Sequence, residues 1–442
     1  MNIDSINTEV TVLGKAGIPS PLGKEESNGR ITFVEDSDGV LINIHPQEVE
    51  ACIQSGEKPQ TFELAGPRKH IYFDPSKLRC ALVTCGGLCP GLNDIIRSIV
   101  LELYHQYGVR HIHGIRYGLE GFIPKYAHDV IDLKPAAVTS ILDMGGSILG
   151  SSRGPQDIEE IVDCLERMNI GILFMIGGDG TLKAALKIAD AILVRGLKIS
   201  VVGIPKTIDN DIYLVSRSFG FDTAVEVSRA AIIGAHNEAL GYPNGIGLIK
   251  LMGRNSGFIA ATASLAQQDA NFVLIPEVDF DLAGPGGLLA ALETRLASRG
   301  HAVIVVAEGA GQKFFRDDTE ERDESGNIRL KDIGIFLKNA ISEHFRTKNI
   351  PVSIKYIDPS YMIRSLSANA NDSVFCGFLG RNAVHAGMAG KTKLLIGRWN
   401  SHFVHVPMES SAGRRKQITP NGELWSAVLS ATGQGSLVNE IE

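Results

Sequence analysis

Phe174-Met175-Ile176-Gly177-Gly178-Asp179-Gly180-Thr181 is the stretch on which the fold of this 442-residue chain turns. The apolar run Ile170 to Ile176 reads as a buried strand. Two glycines, an acid, a third glycine and a threonine follow, and a helical pattern runs from Leu182 to about Arg195. A strand, a glycine turn and a helix start in this order let an anion approach bare backbone. The free N–H groups and positive dipole end of the helix then favour that anion. Asp179 puts a negative charge in the same place, which calls for a cation between the two; Mg²⁺ bridging a carboxylate to phosphates is the usual arrangement.

The same alternation continues outward. Apolar runs at 80–85, 111–115, 170–176, 199–204, 245–251, 272–275 and 301–307 read as strands. Helical patterns at 91–106, 134–143, 157–168, 181–195, 221–239, 256–268, 285–299 and 332–346 lie between them. This is an α/β protein: two doubly wound Rossmann-like domains with mainly parallel sheets, preceded by an N-terminal extension over residues 1–78. Within the extension, Ile31–Val34 and Val40–Ile44 are expected to pair as a hairpin. Charged runs at 316–330 and 408–423 read as polar loops.

Composition narrows the function classes. A net charge of −7 argues against general nucleic-acid binding. No run approaches the roughly 18–20 apolar residues of a membrane span. Met1–Val10 is polar and acidic rather than a secretory leader, so a cytoplasmic location is expected. The six cysteines form no CxxC pair; they are expected to be reduced, mostly buried thiols rather than a zinc site.

In parallel α/β sheets ligands bind beyond the carboxyl ends of the strands, so the residues that follow each strand carry the chemistry. Cys85-Gly86-Gly87-Leu88-Cys89-Pro90-Gly91-Leu92-Asn93 is a second glycine turn at a helix start. Gly150-Ser151-Ser152-Arg153-Gly154 holds an arginine in a small-residue loop, suited to gripping phosphate. Pro205-Lys206-Thr207-Ile208-Asp209-Asn210-Asp211 sets two carboxylates two residues apart beyond a buried strand. If that strand neighbours the one ending at Asp179, three acids meet at one sheet edge, which requires a metal or a proton-transfer role. Met252-Gly253-Arg254 and Glu308-Gly309 end two further strands. There is no Gly-x-Gly-x-x-Gly fingerprint, and Gly390-Lys391-Thr392 lacks the earlier glycine and the strand-to-helix order of a P-loop.

Four of these blocks, Gly86-Gly87-x-x-Pro90-Gly91-x-Asn93, Gly177–Thr181, Thr207–Asp211 and Met252–Arg254, together resemble the phosphofructokinase family over about Arg79 to Arg398. The resemblance implies phosphoryl transfer to the 1-hydroxyl of fructose 6-phosphate. It implies Asp209 as the base, Asp211 in support, Thr207 on the transferred group and Arg153 neutralising its charge. Gly86, Gly87, Gly178, Asp179, Gly180, Thr181 and Lys206 would bind the donor, with Asp179 holding Mg²⁺. Met252, Gly253, Arg254, Glu308, Lys355, Tyr361 and Arg364 would bind the sugar phosphate. The implied domains are 79–220 with 363–412 for the donor and 221–362 with 413–442 for the sugar phosphate.

The chain departs from the short bacterial pattern. Leu88 replaces an Asp, Gly245 replaces an arginine that reaches a neighbouring subunit's sugar phosphate, and Lys355 and Tyr361 stand for Arg and His. The extension and Ile357–Arg364 look like the longer plant-type and protozoan-type branch. The family uses ATP or pyrophosphate. Gly180 leaves room for an α-phosphate, where pyrophosphate-dependent relatives usually carry Asp. Lys206 is shared with those relatives but is expected to be flexible enough to swing aside, so ATP is the expected donor and pyrophosphate the alternative. A homotetramer or homodimer, and allosteric control, are the family expectation; Glu277 matches an effector-site acid of short relatives or is a strand-end charge. A relative of NAD or lipid kinases accounts only for Gly-Gly-Asp-Gly, and a non-catalytic sensing subunit is disfavoured by the presence of Asp179, Asp209 and Arg254.

Overall fold

The seven apolar runs form strands where the hydrophobic pattern places them, because a strand covered by helices on both faces has no polar side to alternate with. The computed structural model describes residues 6–315, 321–322 and 328–439. The charged run at 316–330 falls largely outside the described residues. The chain divides into two compact units: Met1–Thr207, Ile212–Gly220 and Ser365–Arg414 form one, and Ile208–Asp211, Phe221–Arg364 and Arg415–Glu442 the other.

The first unit is built on a nine-stranded sheet. Its centre is five parallel strands in the order Leu394–Trp399, Ser200–Pro205, Ile172–Gly177, Arg79–Thr84 and His111–Ile115. The strands at 172–177 and 200–205 are direct neighbours. Helices Ile158–Arg167 and Asp179–Val194 cover one face, closing a core around Ala81, Leu173, Met175, Ile188 and Val201, all fully buried. The second unit has four strands, all parallel, in the order Phe272–Leu274, His301–Ala307, Gly245–Leu251, Ser353–Ile357. Its core gathers Leu248, Ile304, Leu292, Leu337 and Phe345. No helix among the described residues is long and apolar enough to cross a membrane.

Three local expectations are corrected. The extension does not make its hairpin. Gly39–Leu41 pairs instead with Thr61–Leu64, which pairs with His402–Pro407, so the extension lengthens the first sheet by two antiparallel strands. Residues 134–143 are not a helix: Pro135–Val138 makes one 3₁₀ turn and the chain then bends. The helix after the first glycine turn starts earlier than its apolar pattern, at Asp179 with Gly178 as N-cap. Gly180 lowers helix propensity, but an acid in the first turn is favoured by the dipole. Cys80, Cys85, Cys89 and Cys376 are buried thiols. Lys391 is buried and bonded to Asp36 and Glu63, which gives the Gly390-Lys391-Thr392 stretch a structural use.

Candidate active site

In the first unit, three adjacent parallel strands end together. Cys85 N–H donates to Ile176 O (2.9 Å), and Lys206 N–H to Gly177 O (2.9 Å). The glycine turn after Thr84 needs Gly86 at φ +81° and Gly91 at φ +99°. A Cβ on Gly91 would also lie 2.6 Å from Cys376 Sγ. The 144–154 segment is stitched onto this turn: Asn93 Nδ2 donates to Met144 O (2.9 Å), Gly86 N–H to Ser152 O (3.1 Å) and Ser151 Oγ to Gly86 O (2.6 Å). These bonds carry the exposed Arg153 to the mouth of the glycine turn.

Gly177 is required by its neighbour, since a Cβ there would sit 2.2 Å from Thr181 Oγ1. Gly180 is the opposite case; nothing lies within 4 Å of a Cβ built on it. Lys206 is not the flexible arm the sequence suggests. It is buried, and its Nζ donates to Gly87 O at 2.6 Å, so the two halves of the cradle are tied together.

Asp179 is mostly buried. Its carboxylate accepts from Gly413 N–H (2.7 Å) and pairs with Lys183 Nζ (2.9 Å), one helical turn on. Mg²⁺ prefers hard oxygen ligands, few of them from protein, with phosphate and water oxygens completing the octahedron. A single carboxylate beside a glycine turn suits that demand. Lys183 would have to yield its place to such a cation.

In the second unit the acid turn is shaped by Asn210, held at φ +53°, a conformation that Asn tolerates better than most side chains. Ser256 Oγ donates to Asp209 O (3.2 Å) and Lys416 N–H to Asp211 O (2.8 Å). Burial, then the charges of Asp211 and Glu308, push the Asp209 carboxyl up to about 8, against a hydrogen bond from the Arg254 backbone and the charge of Arg415. Asp211, also buried, is paired with the Arg415 guanidinium. Burial pulls the Lys416 ammonium down to about 8, opposed by Asp211.

Arg254 and Glu308 are brought side by side by Gly253, which precedes Arg254, and Gly309, which follows Glu308. Glu308 N–H donates to Leu251 O (2.9 Å) and Gly309 N–H to Gly253 O (3.1 Å), while a Cβ on Gly309 would lie 2.0 Å from Arg254 O. Burial raises the Glu308 carboxyl, against the charges of Arg254, Lys250 and Arg364. Arg364 and Tyr361 stand on the short helix Ser360–Ser365, the guanidinium 5.1 Å from the ring centroid. Lys355 is not brought to this group: its ammonium lies 3.7 Å from Glu238 and 4.4 Å from the Tyr242 ring centroid. Gly245 has no room for a side chain, because a Cβ would meet Ala239 O at 2.0 Å.

Some participants were not legible in the sequence. Lys183 had a signal, since it follows Asp179 by one helical turn. Arg415 had none, being 204 positions from the acid it pairs with. Glu277 proves to be used internally: both its oxygens accept from Gly257 N–H (3.0 Å each), and one from Ile418 N–H (2.9 Å).

Residues 79–387 match the family model described as phosphofructokinase. A protein from Borreliella burgdorferi named ATP-dependent 6-phosphofructokinase is 50% identical over 440 residues, covering 98% of this chain and 97% of that one. One of the same name from Amycolatopsis methanolica is 44% identical over 443 residues, covering 98% and 96%. A solved structure of a pyrophosphate-dependent phosphofructokinase from Marinobacter aquaeolei superimposes with a TM-score of 0.65 at 19% identity, over 83% of this chain and 94% of that one, and bears on the fold alone. The fold and the strand-end glycine turns define an α/β enzyme built to hold anionic groups. The chain belongs to the phosphofructokinase family.

Proposed function

We propose that this protein transfers a phosphoryl group from Mg-ATP to the 1-hydroxyl of fructose 6-phosphate, giving fructose 1,6-bisphosphate, as an ATP-dependent 6-phosphofructokinase of glycolysis. The observation that carries the mechanism is Asp209: a half-buried residue, one carboxyl oxygen shut off from solvent, whose carboxyl is pushed up to about 8 beside Asp211 and Glu308 in the turn that follows the Ser200–Pro205 strand. A group with that affinity for a proton is suited to take one from an alcohol near neutral pH. Asp211, paired with Arg415, supports Asp209.

In this reading the 79–220 and 363–412 segments bind the donor and 221–362 with 413–442 the sugar phosphate. Gly86, Gly87, Gly178, Gly180 and Thr181 present backbone to the donor phosphates, Lys206 braces the turn, and Arg153 and Thr207 meet the transferred group. Asp179 would hold the magnesium, which would supply positive charge to the donor phosphates. Met252, Gly253 and Arg254 orient the sugar with Glu308, and Arg364 with Tyr361 grips its phosphate. Lys355 is the weakest member of that set. Positioning and charge stabilisation of this kind supply most of the catalysis in phosphoryl transfer.

Open space at Gly180 favours a nucleotide over pyrophosphate as donor, and the names of the two bacterial relatives point the same way. A symmetric homotetramer or homodimer in the cytoplasm is the matching assembly and location. A matrix of donors (ATP, pyrophosphate) against acceptors with Mg²⁺ tests the reading. Turnover with ATP and fructose 6-phosphate is expected; turnover with pyrophosphate alone would reassign the donor.

A further inference from the structure

Lys250 has no place in the reaction so far, yet it lies on the strand that leads into Met252, Gly253 and Arg254. It is the penultimate residue of the Gly245–Leu251 strand, two positions before Met252. Its side chain is only 12% exposed. The ammonium reaches Asp332 Oδ2 at 2.8 Å and Asp358 Oδ2 at 2.9 Å.

Each of these carboxylates gives its other oxygen to a helix start. Asp332 Oδ1 caps the helix Ile333–Thr347 by accepting from Ile335 N–H (3.0 Å), and also accepts from Tyr356 OH (3.3 Å). Asp358 Oδ1 accepts from Ser360 N–H (3.2 Å) and from the Ser360 hydroxyl, at the head of the short helix that carries Tyr361 and Arg364. One ammonium thus joins the end of a central strand to the starts of two helices. The strand delivers Arg254; the neighbouring strand delivers Glu308; one of the two helices delivers Arg364. Glu308 feels the charges of Arg254, Lys250, Arg364 and Asp358 together, which puts them in one neighbourhood.

We infer that Lys250 is a positioning residue for the sugar phosphate: through Asp358 it fixes the start of the Ser360–Ser365 helix, and so the distance between Arg364 and the Arg254–Glu308 pair. The chemical reason is geometric. Two cationic groups that grip one substrate from different elements must be held at its span, and an error of about 1 Å is costly. A lysine held by two carboxylates forms that brace without contacting the substrate.

The inference rests on the proposed reaction, and the test separates the two. Steady-state kinetics and calorimetric titration with fructose 6-phosphate are run on the full chain and on Lys250→Met, Lys250→Arg, Asp358→Asn and the Lys250→Met/Asp358→Asn double variant. For Lys250→Met the KM and Kd for the sugar phosphate are expected to rise about tenfold, with kcat within about threefold and the KM for ATP unchanged. Lys250→Arg should recover most of the affinity, and Asp358→Asn should add little in the Lys250→Met background. If Lys250→Met does not fold, Asp358→Asn, which keeps the Asp332 link, decides. An unchanged sugar-phosphate KM in Lys250→Met or in Asp358→Asn overturns the inference, as do losses that simply multiply in the double variant. A wild-type protein that does not bind fructose 6-phosphate overturns the proposed reaction instead.

Discussion

Replacing Asp209 by asparagine removes the proposed proton acceptor while keeping its shape. Burial and the charges of Asp211 and Glu308 hold this carboxyl at about 8, against an ordinary value of 3.8. In the free protein about a tenth of it is then ionised at pH 7 and about half at pH 8. If Asp209 is the base, kcat/KM for the sugar phosphate rises about fivefold between pH 7 and 8 and levels off above about pH 9. The substrate's own phosphate titrates near pH 6, about two units below this limb. The Asn variant should lose about 10²–10⁴-fold in turnover, with little change in sugar-phosphate affinity. Stability gives an independent check. A folded-state pKa raised above the unfolded one contributes stability below about pH 4 that is lost as pH rises through about 8. At pH 8 the wild-type protein therefore carries a cost that the Asn variant lacks, and the variant should melt no lower than wild type. A variant keeping more than about a tenth of wild-type turnover, or a wild-type kcat/KM that is flat from pH 7 to 9, would refute the assignment.

Gly180→Asp puts a carboxylate into open space, so the fold should hold while the KM for ATP rises about tenfold or more through charge repulsion; an unchanged KM would remove Gly180 from donor selection. Gly177→Ala drives a methyl to 2.2 Å from Thr181 Oγ1 and 2.4 Å from its Cβ, which should cost roughly 1–3 kcal/mol in urea unfolding. Arg415→Gln strips the guanidinium from buried Asp211 and should destabilise by roughly 1–3 kcal/mol, with most of the loss recovered in the Arg415→Gln/Asp211→Asn double variant.

Seven strand positions were legible because most of those runs are apolar on both faces, and the ones at 79–84, 172–177, 245–251 and 301–307 lead into glycines; the central strand Leu394–Trp399 and the edge strand Ser353–Ile357, which carry polar residues, were missed. The order of the strands was not legible, since nothing local says that Leu394–Trp399 lies beside Ser200–Pro205. The extension misled for a physical reason: short β-prone segments have little intrinsic pairing preference, and Gly39–Leu41 found a better edge in Thr61–Leu64 than in Ile31–Val34. The helix expected at 134–143 had apolar spacing but no N-cap, and Gly145 and Gly146 follow it. The structure needs Gly145 itself, because a Cβ there would lie 1.7 Å from Ser365 O. Site residues carried by glycine turns were readable from sequence because glycine marks where backbone must approach something. Lys250, Arg415 and Glu277 were not, because their partners Asp332, Asp211 and Ile418 are supplied by distant parts of the chain.

The acids also answer the question of charge that the sequence raised. Three carboxylates near one another seemed to require a metal or a proton-transfer role. The structure gives each a separate environment. Asp179 is met by Lys183 and the Gly413 N–H, and Asp211 by Arg415. Asp209 has its carboxyl raised by burial and by its acidic neighbours. A raised carboxyl of this kind is what a base needs. A carboxylate fully neutralised by arginine would be too weak a base, and one free in water would have its ordinary low proton affinity. Asp209 combines a raised proton affinity with the Arg254 and Glu308 neighbourhood proposed to hold the sugar, so the base role proposed for it rests on its surroundings as well as on a motif.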